Sequence, residues 1–97
     1  MSNLYIAEFP AIMAEHWQLV KMPPIAEQTV PIGAAAQSAP FSAQTRMIRV
    51  FAGAGCSIAI GGNPTASTSN CPLAANQTEF FGVGPGEILS VIANSAP

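Results

Sequence analysis

The side chains able to do chemistry are few. There is one histidine, His16, and five glutamates, Glu8, Glu15, Glu27, Glu79 and Glu87, with no aspartate. General acid–base and nucleophilic catalysis need titrating groups held as a pair. A Ser–His–Glu set through His16 is the formal possibility. His16 lies beside Trp17, however, in a segment far in sequence from the strands that would hold a partner still. An imidazole satisfied by a backbone carbonyl, or placed at a subunit contact, is the simpler reading. Cys56 and Cys71 could meet across neighbouring strands, but a reducing compartment favours two free thiols. Two cysteines and one histidine fall short of a zinc set. The sequence therefore predicts no enzyme, no metal and no cofactor.

Other motifs reduce to structure in the same way. GAGCSIAIGG is glycine-rich, yet it lacks the lysine of a phosphate-binding loop and no helix follows it. Asn76-Gln77-Thr78 matches a glycosylation triplet, which has no meaning in a cytosol. Trp17, Phe80 and Phe81 could stack on a sugar, but Trp17 is distant in sequence and packing is the better reading. Lys21, Arg46 and Arg49 are the only basic residues, so there is no patch to neutralise phosphates and nucleic acid is not expected as a partner.

The elements that would position these residues centre on 45–68, TRMIRVFAGAGCSIAIGGNPTAST. Ile48, Val50 and Ala52 alternate with Met47, Arg49 and Phe51, the period of a strand with one apolar and one amphipathic face. Gly53-Ala54-Gly55 can reverse the chain, and Cys56, Ile58 and Ile60 then resume the alternation. A hairpin is predicted, followed by a polar surface loop over 61–72. Glu27 to Gly33 reads as a strand that Pro31 confines to a sheet edge or a bulge. Residues 33–44 are small and polar, with Phe41 the one large side chain, and suit a loop or short strand. Leu73 re-enters the sheet, EFFGV over 79–83 is a strand, Gly84-Pro85-Gly86 turns, and 87–93 is a last strand apolar on both faces. The expected fold is all-β, a small antiparallel sandwich or barrel over 28–97.

Residues 1–27 hold the oddities, Tyr5, Phe9, Ile12, His16, Trp17, Lys21 and the breaker pair Pro23-Pro24. They read as an N-terminal arm, helical or extended, and Tyr5, Phe9, Ile12 and Trp17 are its candidate partner contacts. Composition favours such contacts. Only 8% of the 97 residues are charged and 49% are hydrophobic, with a net charge of −2. A free monomer of that kind presents apolar patches beyond what soluble monomers usually tolerate, so coverage by other subunits is expected. No secretory leader and no run of about 18 apolar residues is visible, so synthesis in a cytosol and no membrane partner are expected.

From about Ser38 to Ile92 the order of short motifs resembles a group of small structural proteins of tailed bacteriophages. They are Thr45-Arg46 with Arg49-Val50, CSIAIG over 56–61, NPTA over 63–66, Leu73 with Ala75, EFFGV over 79–83, and Gly86 with Val91-Ile92. The resemblance implies a virion component, a capsid decoration or cement protein bound to the outer shell, with the major capsid protein and copies of itself, as a trimer, for partners. It supplies no catalytic residues. A tail or neck adaptor, a fibre-associated part, or a host-surface carbohydrate-binding module using 61–72 are the alternatives.

Overall fold

The computed structural model describes residues 2–10 and 24–95. Among them there is no helix, and hence none long and apolar enough to cross a membrane. Eight strands form two antiparallel sheets: β1 (Asn3–Phe9), β2 (Ala26–Pro31), β3 (Ala36–Gln37), β4 (Met47–Ala52), β5 (Cys56–Gly61), β6 (Cys71–Leu73), β7 (Thr78–Gly82) and β8 (Ile88–Ala93). The first sheet runs β2-β1-β4-β7 and the second β3-β8-β5-β6. The all-β class expected from the sequence is the one observed, and of the sandwich and barrel it allowed, two separate four-stranded sheets make a sandwich.

Alternation decides what each strand buries. Leu4 and Ile6 of β1, Val30 of β2, and Ile48, Val50 and Ala52 of β4 point inward from the first sheet. Cys56 and Ile58 of β5, Leu73 of β6, and Leu89 and Val91 of β8 meet them from the second. Phe41, the large side chain of the 33–44 stretch, is buried with this core and anchors its loop there. The parity read for residues 47–52 holds: Ile48, Val50 and Ala52 are fully enclosed while Arg49 is exposed.

The predicted hairpin is not formed. β4 pairs with β1 and β7, whereas β5 pairs with β6 and β8, so Gly53-Ala54-Gly55 carries the chain from one sheet to the other. Two alternating apolar faces joined by a flexible step satisfy a hairpin and a sheet-to-sheet corner equally in sequence; burial of both inner faces against one another selects the corner. Gly53 is required for another reason than a turn. Its amide donates to the Asn3 carbonyl at 3.0 Å, and a Cβ there would lie 2.8 Å from that same oxygen. The positive φ occurs instead at Gly86, in the turn predicted before the last strand, and at Asn76.

The N-terminal arm is corrected in part. Residues 3–9 are β1, an interior strand paired in register with β2 on one side and β4 on the other. Its Leu-Tyr-Ile alternation gives it an inward apolar row, which is what a sheet needs and a loose arm does not. Residues 11–23, including Ile12, His16 and Trp17, lie outside the described residues. Pro31 falls on edge strand β2, as its missing N–H demands.

Candidate contact face

The outward rows of the first sheet follow from its registers. Glu27, Ala7, Arg49 and Phe80 lie side by side across β2, β1, β4 and β7, and Thr29, Tyr5, Phe51 and Thr78 form the next row. Ala7 is short and sits between two long charged neighbours, which leaves a hollow. That depression is about 300 Å³ and is lined by Tyr5, Ala7, Glu27, Thr29 and Arg49 among others. Tyr5 leans on Phe51 with ring centroids 6.0 Å apart at 45°, a tilted aromatic contact. Tyr5 is 46% exposed and Phe80 40% exposed. Further along the same face, Ala7, Phe9 and Met47 form a small buried cluster of their own.

This face can hold a partner by stacking and by hydrogen bonding, with a guanidinium on one side of the hollow and a carboxylate on the other. Among the described residues neither Arg46 nor Arg49 is ion-paired to a glutamate; Arg46 donates to the carbonyls of Ala43 and Thr45 at 2.9 and 3.1 Å. Covering a half-exposed aromatic is worth roughly 1 kcal/mol in apolar transfer before ordering costs. Of the four candidate contacts, Tyr5 lies on this face. Phe9 is 2% exposed and is spent on the chain's own packing. Ile12 and Trp17 are outside the described residues.

The outer side of the second sheet is closed by the chain itself. The Ala66 amide donates to Ser90 Oγ at 2.9 Å, and Asn94 Nδ2 reaches both Ser57 Oγ at 2.9 Å and the Thr68 carbonyl at 3.3 Å. Gln37 Nε2 donates to Asn63 Oδ1 at 2.9 Å and to the Pro64 carbonyl at 2.7 Å. The polar 61–72 loop expected at the surface is therefore pinned down on the sheet, with Ala66 only 3% exposed. Ser57 and Ser90, on the outward face of their strands, gave no sign of burial in the sequence. The Ser90 hydroxyl satisfies the loop's Ala66 amide, and the Ser57 hydroxyl accepts from the Asn94 side-chain amide that also reaches the Thr68 carbonyl. A second depression of about 340 Å³ lies beside the loop, lined by Ala35, Gln37, Pro64, Thr65 and Ser90.

Sequence reasoning missed Glu8. It is 3% exposed, and its Oε1 accepts from the Ser42 amide at 2.9 Å and from the Thr45 hydroxyl at 2.7 Å. Gln28 Nε2 lies 3.5 Å from the other carboxylate oxygen, and Gln28 also bonds both the amide and the carbonyl of Ala39. The network ties residues 39–45 to β1 and β2, so a buried carboxylate fixes the loop that delivers Phe41 to the core. A signal existed: in NLYIAEF, Glu8 falls two residues after Ile6 and four after Leu4, on the apolar parity.

Both cysteines are free. Register sets Cys71, on the exposed edge strand β6, opposite Ile58 rather than Cys56, which faces the core. Burial pushes the Cys56 thiol above its ordinary pKa, and the nearby Cys71 adds to this. Among the described residues no group of three His, Cys, Asp or Glu side chains is arranged to hold a metal ion. Comparison with known proteins returns no matching family model, no matching curated protein and no matching solved structure.

Proposed function

We propose that the chain is a non-catalytic structural protein of a phage virion, a capsid decoration or cement protein that seats on the outer shell and ties neighbouring capsid subunits together. The observation that carries a docking role is the unequal treatment of the two outer faces: the second sheet is covered by residues 62–70, while the first leaves Phe80 exposed beside Arg49 and Tyr5 exposed at an Arg49–Glu27 hollow. The motif order over 38–92 supplies the virion context. Partners in this reading are the major capsid protein and further copies of the chain. Each contact is weak, and icosahedral repetition couples many of them.

Heads carrying and lacking the protein, heated side by side, test this. The expected result is genome release at a lower temperature from heads that lack it. Release at the same temperature contradicts the cement role. A host-surface carbohydrate-binding module is the second reading, favoured by the depression beside Thr65. Glycan-array binding lost in Thr65→Ala would support it; Asn63 is a poorer probe because its side chain already holds Gln37.

A further inference from the structure

A sandwich of two open sheets has four edge strands, and three of them are blunted here. Edge strand β3 has two residues, and β6 has three with Pro72 at its centre. Strand β2 is covered differently. Ile32 donates to the Ser2 carbonyl, so Pro31, one position away in the alternation, turns its ring nitrogen to the free side, and Gln28 holds the Ala39 backbone alongside. Short edges, proline and covering segments are the usual protections against strand addition. Strand β7 has none of them: five residues, TEFFG, with no proline and no basic residue.

The phase of its free hydrogen-bonding groups is fixed by its partner. Val83 donates to the Arg46 carbonyl and Ala52 to the Gln77 carbonyl, so residues 77, 79, 81 and 83 face β4. Thr78, Phe80 and Gly82 therefore direct their N–H and C=O groups away from the sheet, and all three are exposed.

We propose that β7 pairs antiparallel with β7 of a second copy about a two-fold axis through Phe80, joining the two first sheets into one. Phe80 then meets its counterpart, and Thr78 meets Gly82 of the second copy, so every outward-facing residue lies in a hydrogen-bonded pair that exchanges two bonds. On the opposite parity Glu79 faces Phe81 of the other copy, and no like charges oppose each other. Sliding the axis to residue 79 would set Glu79 against itself and put Gly82 opposite Asn76, beyond the strand, while an axis at residue 81 would put Thr78 opposite Gly84, also beyond it. Glu79 is moreover held by Gln77 Nε2 at 2.5 Å, so it does not act as a charge guarding the edge. Only the register through Phe80 pairs all three outward-facing residues of the strand with one another, which favours a second copy over an unrelated extended peptide. The pairing goes beyond the decoration reading and gives a dimer, where the resemblance implies a trimer.

Sedimentation equilibrium of the full chain over a concentration series tests it, together with amide hydrogen exchange followed residue by residue. The expected result is a dimer in which the amides of Thr78, Phe80 and Gly82 become protected as concentration rises, while Glu79 and Phe81 are protected throughout. Phe80→Lys, which places a like charge at the axis, should weaken dimerisation about tenfold or more. Should that variant fail to fold, the exchange pattern of the unaltered chain decides alone. A monomer at every concentration, a trimer, or a dimer whose Thr78, Phe80 and Gly82 amides stay unprotected overturns the proposal. A trimer would leave the virion reading standing, and failure of the heat-release experiment would leave the dimer standing.

Discussion

On the outer side of the second sheet, Ser57 and Ser90 have essentially no contact with solvent: the Ala66 amide donates to the Ser90 hydroxyl, and Asn94 donates to the Ser57 hydroxyl and to the Thr68 carbonyl. On the outer side of the first, Tyr5 and Phe80 stand in the open beside a hollow floored by Ala7. Both sheets bury the same kind of inner face: Ile, Val and Leu at alternate positions. The difference lies in the outward rows. Small hydroxyl residues can be roofed by a backbone whose polar groups they satisfy, whereas aromatic rings cannot satisfy a loop and are left for another surface. Outward-facing serines thus help to close a face, and outward-facing rings keep one available.

Breaking the anchoring on the first sheet should cost most. Glu8→Ala leaves the Thr45 hydroxyl and the Ser42 amide without their shared acceptor, and a loss of about 3 kcal/mol in urea unfolding at unchanged m-value is expected. Gly53→Ala comes next. The added methyl meets the Asn3 carbonyl, and about 2 kcal/mol is expected as β1 and the corner move apart. Ser90→Ala removes the acceptor for Ala66 and should cost about 1 kcal/mol, with faster proteolysis within residues 62–70. If Ser90→Ala left loop protection unchanged, the roof over the second sheet would not depend on that hydroxyl. Tyr5→Ser should alter folding stability by no more than about 0.5 kcal/mol, yet weaken binding to heads stripped of the protein.

The smallest effect is one of pH. Cys56 has a folded pKa raised above its ordinary value of 9.0, so the unfolded chain loses its proton first. The thiol's contribution to stability is therefore complete below about pH 9 and declines as pH rises toward the folded pKa. Urea unfolding at about pH 8 and about pH 10 should show a smaller alkaline loss in Cys56→Ala than in the unaltered chain.

Strand positions were readable because residues 47–52 and 56–60 alternate with a period of two whatever strands they pair with, and 88–93 is apolar on both faces between turn signals. Which strands pair was less readable. Gly53-Ala54-Gly55 permits a hairpin or a corner alike, and what selects the corner is burial against strands distant in sequence, β1 and β7 for β4 and β6 and β8 for β5. Tyr5 could be named as a surface contact from its type, but Phe9 could not be told from it, since both lie on the same parity of β1 and only the packing with Met47 separates them. Glu8 was legible as a charge on an apolar row; its partners Ser42 and Thr45 were not, being more than thirty positions away.

The central claim, that the open face of the first sheet is the one that meets a shell, is tested most directly by an electron cryomicroscopy map of purified heads, with copy number measured by quantitative gel densitometry. The account predicts hundreds of copies on the outer surface, oriented with Tyr5 and Arg49 against the capsid. Copies confined to one vertex, or seated with residues 62–70 against the capsid and the first sheet in solvent, would contradict it.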